Sequence, residues 1–257
     1  MGLWGCGSEP SPRGDLAEED VPTPLSAEEV PPEGVLLRLR LGVGDELVYK
    51  YRVRETLTEY APLGKKAGEA TVKAEAKLRY RCVATQAGKF EIEQEFDSPK
   101  FEIAGEGSFK GREETLREAY ASAWRAPRYL FWTARYGVDD RPPIFPEGRV
   151  RAGDEWTVTM PGKKGEGFLM GEGVYRYQVE GFERVKGFKT VKVRVEAPST
   201  PLQRSRGPAF VWYDLETGVV VRARFAVEVQ VPSHQVREEE QDLIEIRRGG
   251  EGVRVPG

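Results

Sequence analysis

LRYRCVATQAGKFEIEQEFDSP, residues 78–99, decides the fold. Tyr80, Cys82 and Ala84 alternate with polar neighbours, Gly88 marks a turn, and Phe90, Ile92 and Phe96 then alternate against Glu91, Glu93 and Glu95. A period of two with one apolar and one charged face is the pattern of an antiparallel hairpin wetted on one side. The stretch recurs as YRYQVEGFERVKGFKTVKVRVEAPS, residues 175–199, with Gly187 at the turn.

The repetition extends upstream. Gly44-Asp45-Glu46-Leu47-Val48-Tyr49 returns as Gly153-Asp154-Glu155-Trp156-Thr157-Val158, an offset of 109 (153 minus 44). Two copies are too few for a solenoid, so the chain reads as two related halves, about 38–111 and 147–247, within a β domain spanning 35–250 and followed by a tail at 251–257.

Other segments obey the same period. Leu47, Tyr49, Tyr51 and Val53 share one strand face, Val191, Val193 and Val195 another, and Phe225, Val227, Val229 and Val231 a third. Tyr213 to Val220 reads as strand, tight turn and strand, with Gly218 supplying a positive φ. The expected fold is mostly β: a strongly curved antiparallel sheet, either an open half-barrel or two packed sheets.

Residues 112–135, REETLREAYASAWRAPRYLFWTAR, break the alternation. They are rich in good helix formers, and Leu116, Tyr120 and Trp124 fall at i, i+4 and i+8 on one helical face. Pro127 should end this helix and leave a second helical turn through Tyr129, Leu130, Phe131 and Trp132. The aromatic helix has no counterpart in the second half, and the concave face of a curved sheet is where it is expected to pack. Pro142, Pro143 and Pro146 then carry the chain, extended, into the second half.

At the other end, Leu3-Trp4-Gly5-Cys6 resembles a bacterial lipobox, in which a small residue precedes a cysteine that receives a diacylglycerol. Residues 7–34 are rich in Pro, Glu, Asp and Ser and nearly devoid of large apolar side chains, the composition of a mobile tether. A secretory signal also needs a basic segment and an apolar run of about 7–15 residues before the cut. Only Met1 to Gly5 precede Cys6. Lipidation of Cys6 therefore requires a start upstream of Met1; without one, the string is fortuitous.

Composition narrows the function classes. The 257 residues carry 39 basic and 42 acidic side chains, a net charge of −3, with no bulk basicity that would advertise nucleic acid. No run approaches the roughly 18 apolar residues of a transmembrane helix. Cys6 and Cys82 are the two cysteines; with Cys6 acylated, Cys82 has no partner for a disulfide and reads as a small buried hydrophobe.

Chemistry is hard to place. His234 is the single histidine, in a polar stretch, which leaves Ser-His-Asp and Cys-His arrangements without support and a zinc site without ligands. Asp139-Asp140 and Glu238-Glu239-Glu240 lack calcium-loop spacing and read as solvated charge. Gly105 to Gly111 lacks the phosphate-loop pattern and reads as a hairpin turn. No catalytic residue, metal or cofactor is expected.

The GD strand openings, the connector Phe145-Pro146-Glu147-Gly148-Arg149-Val150-Arg151-Ala152-Gly153-Asp154-Glu155-Trp156 and the Tyr213–Gly218 hairpin resemble a group of uncharacterised bacterial lipoproteins with an open half-barrel sheet. The layout is similar to that of the periplasmic lipoprotein carriers, whose helices cover a concave apolar face that binds acyl chains. The resemblance implies a lipid-anchored cell-envelope protein, on the periplasmic or extracellular side. It also implies a hydrophobic ligand lined by Leu116, Tyr120, Trp124, Phe131 and Trp132. The other reading is a tethered structural module that binds an envelope protein partner, its core filled by Trp124, Phe131 and Trp132. The two differ in whether the space between helix and sheet is empty or packed.

Overall fold

The computed structural model describes residues 21–125, 127–137, 142–161, 172–199, 203–230, 234–249 and 251–254. In chain order the elements are β1 (Thr23–Pro24), β2 (Glu46–Tyr60), β3 (Lys66–Gln86), β4 (Lys89–Gly107), α1 (Glu113–Arg125), β5 (Arg128–Thr133), β6 (Glu155–Met160) and β7 (Gly173–Val185). Then come β8 (Phe188–Glu196), β9 (Gln203–Ser205), β10 (Ala209–Asp214), β11 (Val220–Gln230), β12 (His234–Arg248) and β13 (Glu251–Arg254). All strands join one antiparallel sheet, in the order β1-β7-β8-β10-β11-β12-β2-β3-β4-β5, with β6 on β7, β9 on β11 and β13 on β12.

The period of two has its expected consequence. Leu47, Tyr49, Tyr51 and Val53 of β2 are buried together with Ala74, Ala76 and Leu78 of β3, their cross-strand partners being Tyr80, Leu78, Ala76 and Ala74 in turn. Val179 of β7 and Val191 and Val193 of β8 continue the same core. Among the described residues no second sheet covers this face; the sheet curves until its own two sides meet. Tyr136, just beyond β5, and Tyr213 of β10 have ring centroids 5.9 Å apart, although β11, β12, β2, β3 and β4 lie between their strands. A flat sheet would separate them by about 29 Å, six spacings of about 4.8 Å. The arrangement is an open half-barrel.

Backbone segments close the gap between the two sides. Val35 pairs with Val150, the Leu39 N–H donates to the Ala134 carbonyl at 2.7 Å and the Arg40 N–H to the Thr217 carbonyl at 2.8 Å. Leu37 and Leu39 are buried there, and Phe145 lies edge-on to Tyr213 at 4.9 Å.

The repeated GD motifs build matching corners. Gly44 and Gly153 have φ of 89° and 86°. Asp45 accepts from the Gly42 N–H, and Asp154 from the Arg151 N–H, each at 2.8 Å. Gly44 and Asp45 exchange backbone bonds with Cys82, and Gly153 and Asp154 with Val179. Both partner strands then bulge, between Cys82 and Ala84 and between Val179 and Gly181. The hairpin turns match too, with positive φ at Ala87-Gly88 and at Lys186-Gly187, the primed geometry that suits twisted strands.

Four expectations are corrected. Residues 128–133 form strand β5 on β4, not a second helical turn: after Pro127, the free edge of β4 at Lys89–Gln94 supplies a ladder, and Leu130 and Trp132 gain a buried face. Gly105–Gly111 is not a hairpin turn but a strand-to-helix corner, because β4 runs to Gly107 and α1 begins at Glu113. Part of the expected tether, residues 21–34, is docked: Thr23 and Pro24 pair with β7, and Glu29 binds Arg184 and Lys189. Beyond β12, residues 251–254 of the expected tail add a short strand.

Gly218 has φ of 67°, and a Cβ there would lie 2.4 Å from the Arg38 carbonyl oxygen, against a backbone that cannot swing away. Gly88 has φ of 76° with nothing within 4 Å. Gly88→Ala should therefore cost about 1–2 kcal/mol, the left-handed backbone penalty alone. Gly218→Ala should cost roughly 2–5 kcal/mol, because overpacking adds to it. Urea unfolding of the two variants measures the difference.

Candidate functional site: the concave face beneath α1

α1 lies on the inner face of β4. No backbone hydrogen bond joins it to the sheet among the described residues; side chains hold it. Trp124, buried, stacks on Phe96 with centroids 4.7 Å apart and planes at 18°, and meets Tyr51 at 5.5 Å and Phe101 at 5.3 Å. One turn earlier, the Tyr120 hydroxyl donates to Glu55 at 2.6 Å. Leu116 packs on a smaller cluster of Leu57, Ala70, Val72 and Phe109 at the helix N-terminal end. Glu113 and Glu114 in the first turn meet the positive end of the helix with the chain's own carboxylates.

Of the five expected lining residues, the structure brings Leu116, Tyr120, Trp124 and Trp132 to the inner face. Phe131 it turns the other way: in β5 the side chains alternate, so Trp132 is buried opposite Phe90, while Phe131 is 44% exposed opposite Glu91. Cys6 lies outside the described residues.

The site also contains a buried polar cluster. Arg237 and Glu239 of β12 point inward, opposite Glu55 and Val53 of β2. Tyr51 donates to Glu239 at 2.6 Å, Arg237 Nε lies 2.5 Å from Glu239, and its guanidinium is 3.9 Å from Glu55. Burial pushes the Glu239 carboxyl above the usual glutamate range, and Arg237 and Tyr51 offset this only in part. Burial likewise opposes the Arg237 charge, but Glu239, Tyr51 and Glu55 outweigh it and hold the guanidinium charged. The Tyr120 hydroxyl is raised by burial and then by Glu55, which keeps it a proton donor. The reading of Glu238-Glu239-Glu240 as solvated charge is thus corrected at its middle residue, which is 4% exposed. Alternation carries the signal: Arg237, Glu239 and Gln241 continue the face of buried Leu243.

The opposite face is an ionic ladder. Arg224 pairs with Glu240 at 2.8 Å, Glu240 with Arg52 at 2.7 Å, and Arg52 with Glu75 at 3.5 Å. A hollow of about 830 Å³ opens over it, but its charges are nearly balanced in pairs. His234 sits 2.9 Å from Glu228 at one sheet end, and Cys82 is buried with its thiol raised by that burial.

No known protein family matches the chain, and no curated protein does. Several solved structures resemble it. A structure described as lipid–protein interactions in lipovitellin has a TM-score of 0.45 at 12% identity, over 85% of this chain and 28% of that one. The chain therefore spans little more than a quarter of that protein. An outer membrane lipoprotein-sorting protein domain from Vibrio parahaemolyticus gives 0.23 at 10% identity, over 81% and 87% of the two chains. A DUF1329 family protein from Desulfovibrio piger gives 0.20 at 12%, over 78% and 86%. With TM-scores of this size the likenesses carry no functional weight.

Glu239 binds a proton more readily in the folded than in the unfolded chain, so it favours the fold at low pH. That contribution is lost as pH rises from the ordinary glutamate value through the raised folded one. Glu239→Gln cannot titrate. Melting temperatures from pH 4 upward, an interval of roughly the usual carboxylate range and above, should fall more steeply for the wild type than for the variant.

Proposed function

We propose that the protein is a lipid-anchored envelope protein, tethered through Cys6, whose concave face binds a hydrophobic acyl ligand once α1 moves aside. The observation that carries this reading is the mode of attachment of α1. The sheet is complete without the helix, which rests on it through Trp124, Leu116 and one tyrosine–carboxylate hydrogen bond. Lifting it uncovers an apolar floor of Tyr51, Ala74, Ala76, Phe96 and Phe101, residues of the main core cluster. The sequence resemblance to lipoprotein carriers points the same way. Nothing in the reading requires a reaction, and we assign none.

Magnitudes say which ligands qualify. Unburying Trp124 and Leu116 costs about 1.5–3 kcal/mol each and breaking a charge-assisted hydrogen bond about 1.5–3 more, while each buried methylene returns about 0.8. Roughly six to eleven methylenes are needed merely to offset the opening. Long acyl chains fit this requirement and short ones do not.

A second reading has its own observation. Trp124 already fills the space between helix and sheet, as in a module with a packed core that binds a protein partner.

Native mass spectrometry of the full chain, expressed from its own locus and gently extracted, separates the two. The expected result is a diacylglycerol mass on Cys6, a co-purifying acyl species, and a melting temperature that rises with chain length across a C6–C16 panel, an order-of-magnitude bracket on that threshold. A bare chain that no member stabilises overturns ligand binding and favours the packed module. An unmodified Cys6 overturns the anchor independently.

A further inference from the structure

Trp132 is 4% exposed, and its indole N–H is fully buried with no hydrogen-bond acceptor among the described residues. The ring is held from two sides: Tyr136 stacks on it at 5.3 Å with planes at 26°, and Tyr80 lies 4.9 Å away. Tyr49 extends the group, edge-on to Tyr80 at 5.7 Å. Burial raises all three phenols, and each of Tyr49 and Tyr80 raises Tyr136 further, so they stand near one another as neutral donors.

An unsatisfied buried N–H costs about 1–3 kcal/mol, and such groups in native proteins usually await a water or a ligand. Tyr136 adopts φ of 61°, in the left-handed region that a bulky side chain avoids, and is fixed by its N–H to the Thr133 carbonyl at 2.8 Å. The Gly137 N–H to the Thr133 hydroxyl at 2.9 Å completes the turn.

We propose that the Trp132 indole N–H, boxed by Tyr80, Tyr136 and Tyr49, is the hydrogen-bond anchor for the neutral carbonyl of an acyl ester. This rests on the acyl-binding reading above and names the chemistry of the ligand's polar end. The box itself offers an indole N–H and phenol hydroxyls; near its Tyr80 lie two opposite charges, Glu239, which raises that phenol after burial does, and Arg128, which lowers it by less. A carboxylate would lose its hydration among neutral donors, with the Arg128 charge already outweighed by Glu239, whereas an ester carbonyl needs one or two donors and no more. The site thus prefers esters to free fatty acids of the same length. An alkane of that length would gain the apolar contacts alone.

The test uses the full-length protein with methyl laurate, laurate and dodecane, each delivered on cyclodextrin. Indole ¹⁵N–¹H spectra are recorded, the Trp132 resonance being the one that Trp132→Phe removes. The expected result is tightest binding for methyl laurate, with a downfield shift of the Trp132 proton that dodecane does not produce. Trp132→Phe keeps the stack and loses the donor, so it should bind the ester roughly fivefold more weakly and dodecane unchanged. Tyr136→Phe, which keeps its ring, should show a smaller loss and serves if the first variant misfolds. Methyl laurate binding with an unmoved Trp132 resonance, or an equal shift with dodecane, overturns the anchor and leaves the acyl reading standing. Failure of all three probes to bind overturns both.

Discussion

Everything in this structure depends on a single sheet having to bury one of its own faces. Among the described residues no second layer of strands is available, and one helix of 13 residues covers only part of the surface. Curvature supplies the remainder, bringing Tyr136 and Phe145 against Tyr213 across the opening. The central strands are long, with 15 residues in β2 and 21 in β3. Glycine corners and bulges recur at equivalent places in both halves, which is how a twisted sheet is made to coil rather than splay.

The interior so formed is not uniformly apolar. A Glu–Arg–Glu group with two tyrosines lies on the inner face beside α1, on strands β2 and β12. A buried ion pair of this kind adds little net stability, since desolvation consumes much of the Coulomb gain. Its consequence here is positional. Glu55 gives Tyr120 a polar partner in an otherwise greasy contact, so α1 is registered on the sheet without being welded to it. Like any helix on a sheet it is held by side chains, and here the hold amounts to one aromatic stack, one small apolar cluster and one tyrosine–carboxylate hydrogen bond.

Much of this was legible in the sequence, for local reasons. Side-chain alternation set the buried face of β2, β4 and β8, and the two GD corners could be matched because glycine is needed at a positive φ in each. Leu116, Tyr120 and Trp124 share a helical stripe, and all three do face the sheet. What failed depended on partners distant in sequence. RYLFWT has a helix-neutral composition, and only the exposed edge of β4 makes it a strand, which sends Phe131 outward. Glu239 looked like one of three solvated acids because its partners, Tyr51 and Arg237 with Glu55 beyond, come together only when β12 pairs with β2. The docking of residues 21–34 on β7 likewise rests on Arg184 and Lys189, far along the chain.

The central claim is that α1 is separable from the sheet it covers. Native-state hydrogen exchange of the full chain addresses it directly, because amides report the free energy of opening segment by segment. The account predicts that the amides of residues 113–125 exchange through a local opening well below the global unfolding free energy that governs β2 and β3. Adding an acyl ester should change the protection of α1 while leaving those strands alone. Exchange of α1 at the same free energy as β2 and β3, unaltered by any acyl compound, would show that the helix is an inseparable part of the core and would contradict the account.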